Sequence, residues 1–201
     1  YFARPDSVID GRSVYRARKE LGVKLAGSEI NENSVVTGMP DSGTLAALGL
    51  SQEAGLPFEM GIVRNRYVGR TFIQPTQLVR EIGVKIKLNP QRTAFINKEA
   101  VVVDDSLVRG TTAGRIVSMI RESGAKKVHL RIASPPVCFP CYYGIDTPSS
   151  DELAAAQMDI SALCKKIGAD SLEYLTCEQL RDAIGLPPSE LCTACFDGSY
   201  L

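Results

Sequence analysis

Between residues 34 and 133 short β-branched and aliphatic runs alternate with longer segments whose apolar positions recur three and four apart. Period-two or continuous apolar runs of this length predict strands, and the 3.6-residue period predicts helices. Residues 10–26 read as a helix with Val14, Ala17, Leu21 and Leu25 on one face and Gly27 as its C-cap. Ser34–Met39 reads as a strand, PDSG as punctuation, and TLAALGLSQEAG as a helix ended by Gly55. Phe58–Val63 reads as a second strand. Residues 64–77 are polar, Arg-rich and aperiodic, which predicts a long loop. A helix is expected over Thr76–Lys87, broken by Asn89-Pro90. Ala100–Asp104 reads as a strand, Thr111–Ser123 as the helix after it, stopped by Gly124, and Val128–Ala133 as another strand. After the Pro- and Cys-rich SPPVCFPCYYG, residues 149–184 read as short helices with one possible strand near Leu172–Leu175, and 185–201 as a Gly/Pro-rich tail.

Strand and helix in alternation predict an α/β fold, a central parallel sheet flanked by helices, with a Cys-containing C-terminal appendage. Three parts are expected: an N-terminal linker and helix over 1–33, a core over 34–134, and the appendage over 135–201. The 201 residues suffice to bury most of their apolar surface without a disulfide scaffold. Twenty-three basic residues balance 23 acidic ones, so no basic field points to nucleic acid as a partner. No run of 18 apolar residues occurs, so no membrane span is expected. The opening Tyr1-Phe-Ala-Arg-Pro-Asp lacks an initiator Met and a signal-peptide pattern and reads as the middle of a longer protein, with a cytoplasmic setting expected.

The richest chemistry lies in VVVDDSLVRGTT, residues 101–112. In a parallel α/β sheet ligands bind beyond the carboxyl ends of the strands, where Asp104 and Asp105 would stand. The loop Ser106–Gly110 would offer backbone N–H groups, and Thr111 and Thr112 would open a helix whose N-terminus attracts phosphate. Paired acids accept hydrogen bonds from sugar hydroxyls or hold Mg²⁺, so a phosphorylated sugar would satisfy both halves. The plain alternative is that Asp105 or Ser106 caps the helix and nothing binds. Neither G-x-x-x-x-G-K-[ST] nor G-x-G-x-x-G is present, which argues against ATP and NAD. Of six cysteines, Cys138, Cys141, Cys192 and Cys195 form two C-x-x-C pairs, a spacing that favours metal and invites a zinc-ribbon reading. Cys164 and Cys177 read as core thiols, and His129, inside a strand pattern, as structural.

VVVDDSLVRGTT resembles the signature of the type I phosphoribosyltransferases, which bind phosphoribosyl pyrophosphate (PRPP). TGMPDSG (37–43), NRYVGRTFIQPTQ (65–77), KLNPQR (87–92) and CYYGIDTP (141–148) are similar to stretches of the glutamine PRPP amidotransferases, or amidophosphoribosyltransferases. YFARPDS resembles the segment joining that family's glutaminase domain to its transferase domain. The resemblance implies the type I phosphoribosyltransferase fold and transfer of ammonia to PRPP, giving 5-phosphoribosylamine and pyrophosphate in the first committed step of purine synthesis. It implies that Asp104 and Asp105 contact the ribose hydroxyls and help hold Mg²⁺, and that Ser106, Leu107, Val108, Arg109, Gly110, Thr111 and Thr112 cradle the 5′-phosphate. Pro40, Asp41, Ser42 and Gly43 would form the pyrophosphate loop, with the Ser42 hydroxyl near the metal. Residues 64–77 would be a lid carrying Arg64, Arg66 and Tyr67 as catalytic residues, with Arg70 and Phe72 beside them; the family more often has lysine at position 64. PDSG as a simple Asp or Ser N-cap, and the lid as a solvated arginine loop, are the plain alternatives.

One branch of the family carries a 4Fe-4S iron–sulfur cluster. Its ligands map onto Cys141, Cys192 and Cys195, with the fourth upstream of this chain and Cys138 outside the pattern. The cluster could be absent, held by three ligands, or completed by Cys138. The resemblance also implies a homo-oligomer and a missing N-terminal glutaminase domain, so that this chain would use ammonia and not glutamine. A PRPP-binding regulator, a nucleobase salvage phosphoribosyltransferase and a zinc-ribbon module are the rival readings.

Overall fold

The computed structural model describes residues 3–27, 30–65, 88–147 and 149–200. The chain opens with a two-strand hairpin, β1 (Val8–Ile9) antiparallel to β2 (Arg12–Ser13). Its turn residues Asp10 and Gly11 both have positive φ, 48° and 74°, which suits the twist of a tight hairpin. Residues 10–13, expected as the start of a helix, therefore belong to the hairpin. Ser13 then caps α1 (Val14–Leu25) by accepting from the Arg16 N–H at 3.4 Å. The helix buries Leu21 and Leu25 and closes on Ala26, one residue before the expected Gly27.

β3 (Ser34–Gly38) is wholly buried, and α2 (Thr44–Ala54) ends on Gly55 at φ 66°, as the pattern predicts. β4 (Ile62–Arg64) starts later than the expected strand; Phe58 makes only an isolated bridge to Val36. β5 (Leu88–Pro90) pairs antiparallel with β4, so Asn89-Pro90, expected as a helix breaker, lies in a strand. Pro90 is tolerated there because, among the described residues, β5 pairs with β4 alone and ends at the proline. The expected helix over 76–87 lies outside the described residues. β6 (Glu99–Asp104), α3 (Thr111–Glu122) and β7 (Lys127–Ile132) follow close to their expected bounds. Beyond them come α4 (Ile160–Ile167), β8 (Ser171–Tyr174) and α5 (Cys177–Ile184).

β3, β6, β7 and β8 form one parallel sheet in the order β3-β6-β7-β8. Its fourth strand comes from the region after residue 135. Alternate residues feed two cores, as the period of a strand requires. Val35, Ala100, Val102, Val128, Leu130 and Leu172 pack with Ile116, Val117 and Ile120 of α3 and Leu163 and Ile167 of α4. Val36, Val101, Val103 and Leu175 pack on the other face with Leu21, Leu25, Ala46, Ala47 and Leu50. Each Val, Leu or Ile among them contributes about 1.5–3 kcal/mol on leaving water. α1 and α2 meet backbone to backbone: a Cβ on Gly22 would lie 1.8 Å from the Ala46 carbonyl oxygen, and one on Gly49 would lie 2.0 Å from that of Lys19.

His129, in β7, bonds Ser171 Oγ at 2.9 Å and Glu99 Oε2 at 3.2 Å. Its neighbour Arg131 is fully buried, donates to Ser171 Oγ at 2.8 Å and pairs with Glu173 at 3.1 Å. These contacts tie β6, β7 and β8 together side by side. No helix among the described residues is long and apolar enough to cross a membrane.

Candidate active site

Two strand ends build the site. β3 and β6 are adjacent and parallel, so the loops that leave them, Met39–Gly43 and Asp105–Gly110, emerge at the same edge of the sheet. The Met39 N–H donates to the Val103 carbonyl at 2.8 Å and extends the pairing by one residue. Gly43 lies so close to β6 that a Cβ there would stand 2.2 Å from the Val103 oxygen. The first loop can rest on the second strand only with glycine at this point. The Pro40–Asp41 peptide is cis.

Each loop runs into a helix that no side chain caps. α2 has Gly43 at its N-cap and α3 has Gly110, at φ 77°, and neither helix receives a side-chain cap bond. The plain alternatives, in which Asp105 or Ser106 caps α3 and Asp41 or Ser42 caps α2, are thereby overturned. The Ser106 hydroxyl instead donates to Asp105 at 3.0 Å, and the Asp105 N–H donates to Asp104 Oδ1 at 2.9 Å. Two helix N-termini with unpaired N–H groups and positive dipole ends thus stand at one edge of the sheet, an arrangement that draws anions.

The space between the loops is a cavity of about 510 Å³. Of the residues expected to bind or act on a substrate, Pro40, Ser42, Arg64, Asp104, Asp105, Ser106, Leu107, Val108, Arg109, Gly110, Thr111 and Thr112 all line it, joined by Met39, Leu88 and Ala113. Asp41 and Gly43 do not line it: Asp41 turns to Arg64 at 3.6 Å, and Gly43 is the packing point on β6. Arg64 and Asp41 are both well exposed, so their pair contributes little to stability. Arg66, Tyr67, Arg70 and Phe72 lie outside the described residues. The loop Asp105–Gly110 is anchored away from the cavity as well. Leu107 is buried, the Val108 carbonyl accepts from the Ala154 N–H at 2.8 Å, and Arg109 pairs with Glu152 at 2.7 Å.

Asp104 is the electrostatic focus. Burial, and then the charge of Asp105, push its carboxyl from the ordinary 3.8 up to about 7, against the opposing hydrogen bond from the Asp105 N–H. Two neighbouring carboxyls, one reluctant to ionise, form a hard oxygen donor set that a divalent cation or a sugar hydroxyl would satisfy.

Sequence reading missed Arg18. From the middle of α1 its guanidinium donates to the Ser42 carbonyl at 2.8 Å. The available signal is spacing: Arg18, Leu21 and Leu25 share one stripe, so a cation stands where the apolar face continues.

The cysteines lie apart from this cavity. The Cys138 and Phe139 N–H groups both donate to the Cys195 carbonyl at 3.0 Å, so the two C-x-x-C segments are neighbours, and Cys141 Sγ accepts locally from the Tyr143 N–H at 3.4 Å. Among the described residues, however, no three His, Cys, Asp or Glu side chains are gathered to hold a metal ion. Cys141, Cys192 and Cys195 as they stand therefore do not form a cluster donor set. Cys164, expected in the core, is half-buried and donates to the Ala169 carbonyl at 3.3 Å.

No protein-family model matches the chain. Among curated proteins it is 50% identical over 200 residues to the chloroplastic amidophosphoribosyltransferase of Glycine max, covering all of this chain and 35% of that protein. It is 50% identical over 204 residues to the amidophosphoribosyltransferase of Bacillus subtilis, covering all of this chain and 43% of that one. The chain thus spans well under half the length of these relatives. A solved structure of glutamine PRPP amidotransferase from B. subtilis, complexed with ADP and GMP, superposes with a TM-score of 0.90 at 49% identity, covering all of this chain and 45% of that one. By sequence and by fold the chain is homologous, over its whole length, to the C-terminal phosphoribosyltransferase part of the amidophosphoribosyltransferases.

Proposed function

We propose that this chain binds PRPP and transfers its phosphoribosyl group to ammonia, as the transferase part of an amidophosphoribosyltransferase. The observation that carries the reading is one cavity lined by Asp104, Asp105 and the uncapped start of α3, with Pro40 and Ser42 of the loop that leads into the uncapped α2 on its wall. PRPP has an anion at each end and hydroxyls in the middle, and the cavity offers the complementary order. The 5′-phosphate is assigned to Ser106–Thr112 and the start of α3, where backbone N–H groups and the Thr111 and Thr112 hydroxyls donate. The ribose hydroxyls are assigned to the Asp104 and Asp105 carboxylates, and the pyrophosphate to Pro40–Gly43 and the start of α2. Ser42, Asp104 and Asp105, whose donors are hard oxygens, would hold Mg²⁺. When bound it supplies positive charge to the leaving pyrophosphate.

The reaction is a substitution at the anomeric carbon. The bond from that carbon to the pyrophosphate oxygen breaks and its electron pair leaves with pyrophosphate. Ammonia forms the new C–N bond and then loses a proton to solvent. The positive end of α2 and the Ser42 hydroxyl stabilise the charge that grows on the leaving group, a preorganised effect of the kind that contributes most in enzymes. Arg64, Arg66 and Tyr67 are assigned to the same task from the lid segment, which would also keep water from competing with ammonia. No step passes through Cys141, Cys192 or Cys195. A glutaminase domain as the source of ammonia, and further copies of the chain in an oligomer, complete the reading.

The test is pyrophosphate release from PRPP and Mg²⁺ by the 201-residue chain. Release that depends on NH₄Cl, with none from glutamine, is expected. Equal release with and without an amine would show plain hydrolysis. No release with ammonia but release with a purine or pyrimidine base would mark a salvage enzyme instead.

A further inference from the structure

We infer that Arg18 is a positioning residue for the pyrophosphate loop and that it ties this loop to the amino-terminal segment. The inference rests on the assignment of Pro40–Gly43 to pyrophosphate. One guanidinium serves two backbone carbonyls: Nη1 donates to Ser42 O at 2.8 Å, and Nη2 donates to Ala3 O at 2.9 Å. The Ser42–Gly43 peptide is held from its other side too, because the Gly43 N–H donates to the Met39 carbonyl at 2.9 Å. With both ends of this peptide unit bonded, its plane is held, and with it the backbone that carries Ser42 at the wall of the cavity.

The arginine is itself held on a rigid platform. α1 and α2 touch through their backbones at Gly22–Ala46 and Gly49–Lys19, which packs the helix bearing Arg18 directly against α2. A planar guanidinium with donors on both terminal nitrogens suits this double contact, and a lysine ammonium does not reproduce it. The shared guanidinium makes the loop sensitive to the segment around Ala3: a shift there pulls on the donor that orients Ser42.

Arg12 provides a matched control. It lines the same apolar cavity of about 320 Å³ beside Arg18 and likewise donates to a backbone carbonyl, that of Ile184 at 2.8 Å, but it touches neither loop. Calorimetric titration of Mg-pyrophosphate and, separately, of ribose 5-phosphate into the unsubstituted chain, R18M, R18K and R12M tests the inference, with thermal melting alongside. Loss of a charge-assisted hydrogen bond is expected to weaken pyrophosphate about 10-fold in R18M. R18K should lie between R18M and the unsubstituted chain, ribose 5-phosphate affinity should be unchanged throughout, and R12M should bind both ligands normally. Unaltered pyrophosphate affinity in R18M would overturn the inference. So would R18K equal to the unsubstituted chain, which would show that charge alone acts, or parallel loss of both ligands in R18M, which would mark general damage. If the unsubstituted chain bound neither ligand, the reading of the cavity itself would fall.

Discussion

Asp104 ends a buried strand and begins the site, and its position gives it an unusual proton. In the folded chain its carboxyl titrates near 7, whereas in the unfolded chain it titrates near the ordinary 3.8. Between those values the folded state holds a proton that the unfolded state has released. The stability that neutral Asp104 contributes is full below about pH 4 and lost as pH rises through about 7. Asp104→Asn removes this loss, so its melting temperature at pH 8 should exceed that of the unsubstituted chain by on the order of 5 °C, with the gap closing toward pH 4. A melting series over pH checks it, and a gap independent of pH would refute it. Cation binding favours the ionised carboxylate, so Mg-PRPP should release a proton near pH 7, seen as a buffer-dependent heat in calorimetry. The two aspartates were legible in the sequence because adjacent acids interrupt an apolar run at a predicted strand end. Arg18 was not, since nothing in a helical period says that a cation on the inner stripe reaches back to a loop 24 residues away.

At the scale of elements, two helix starts and two glycine contacts carry the arrangement. Gly110 caps α3 at φ 77°, so Gly110→Ala should cost about 1–2 kcal/mol in backbone conformation and weaken 5′-phosphate binding by turning the first N–H groups. Ribose 5-phosphate titration and melting read the two effects together. Gly22→Ala would drive a methyl into the Ala46 carbonyl and part α1 from α2. A loss of about 2–4 kcal/mol in chemical denaturation is expected, the range of a strained, overpacked site. Stop signals at Gly55 and Gly124 and the apolar runs of β6 and β7 made α2, β6, α3 and β7 readable almost to the residue. Elements set by turn chemistry or by distant partners were less so. The Asp10-Gly11 turn went unread because the helix was begun at residue 10, four residues ahead of its first stripe position at Val14, and β5 exists because β4 is there to pair with it.

For the whole molecule, one parallel sheet aligns two anion-seeking loops because the strands that bear them are neighbours, although β3 and β6 are far apart in sequence. That adjacency is tertiary, which is why composition and periodicity give the fold class while the resemblance of VVVDDSLVRGTT and TGMPDSG supplied the pairing of the loops. The region after residue 135 contributes β8 to this sheet and α4 to the core under the Asp105–Gly110 loop, with Leu163 beside Gly110. A ligand that bridges both loops should therefore steady the entire chain: at 100 times its dissociation constant Mg-PRPP should add about 2.7 kcal/mol to folding stability. The most direct measurement of the central claim is calorimetric titration of Mg-PRPP into the unsubstituted chain and into the Asp104→Asn/Asp105→Asn double variant, with circular dichroism as a check on folding. A saturable one-site isotherm that weakens at least about 100-fold in a fully folded double variant is the expected result, since two charge-assisted contacts are lost together. Equal affinity in the two proteins would contradict it.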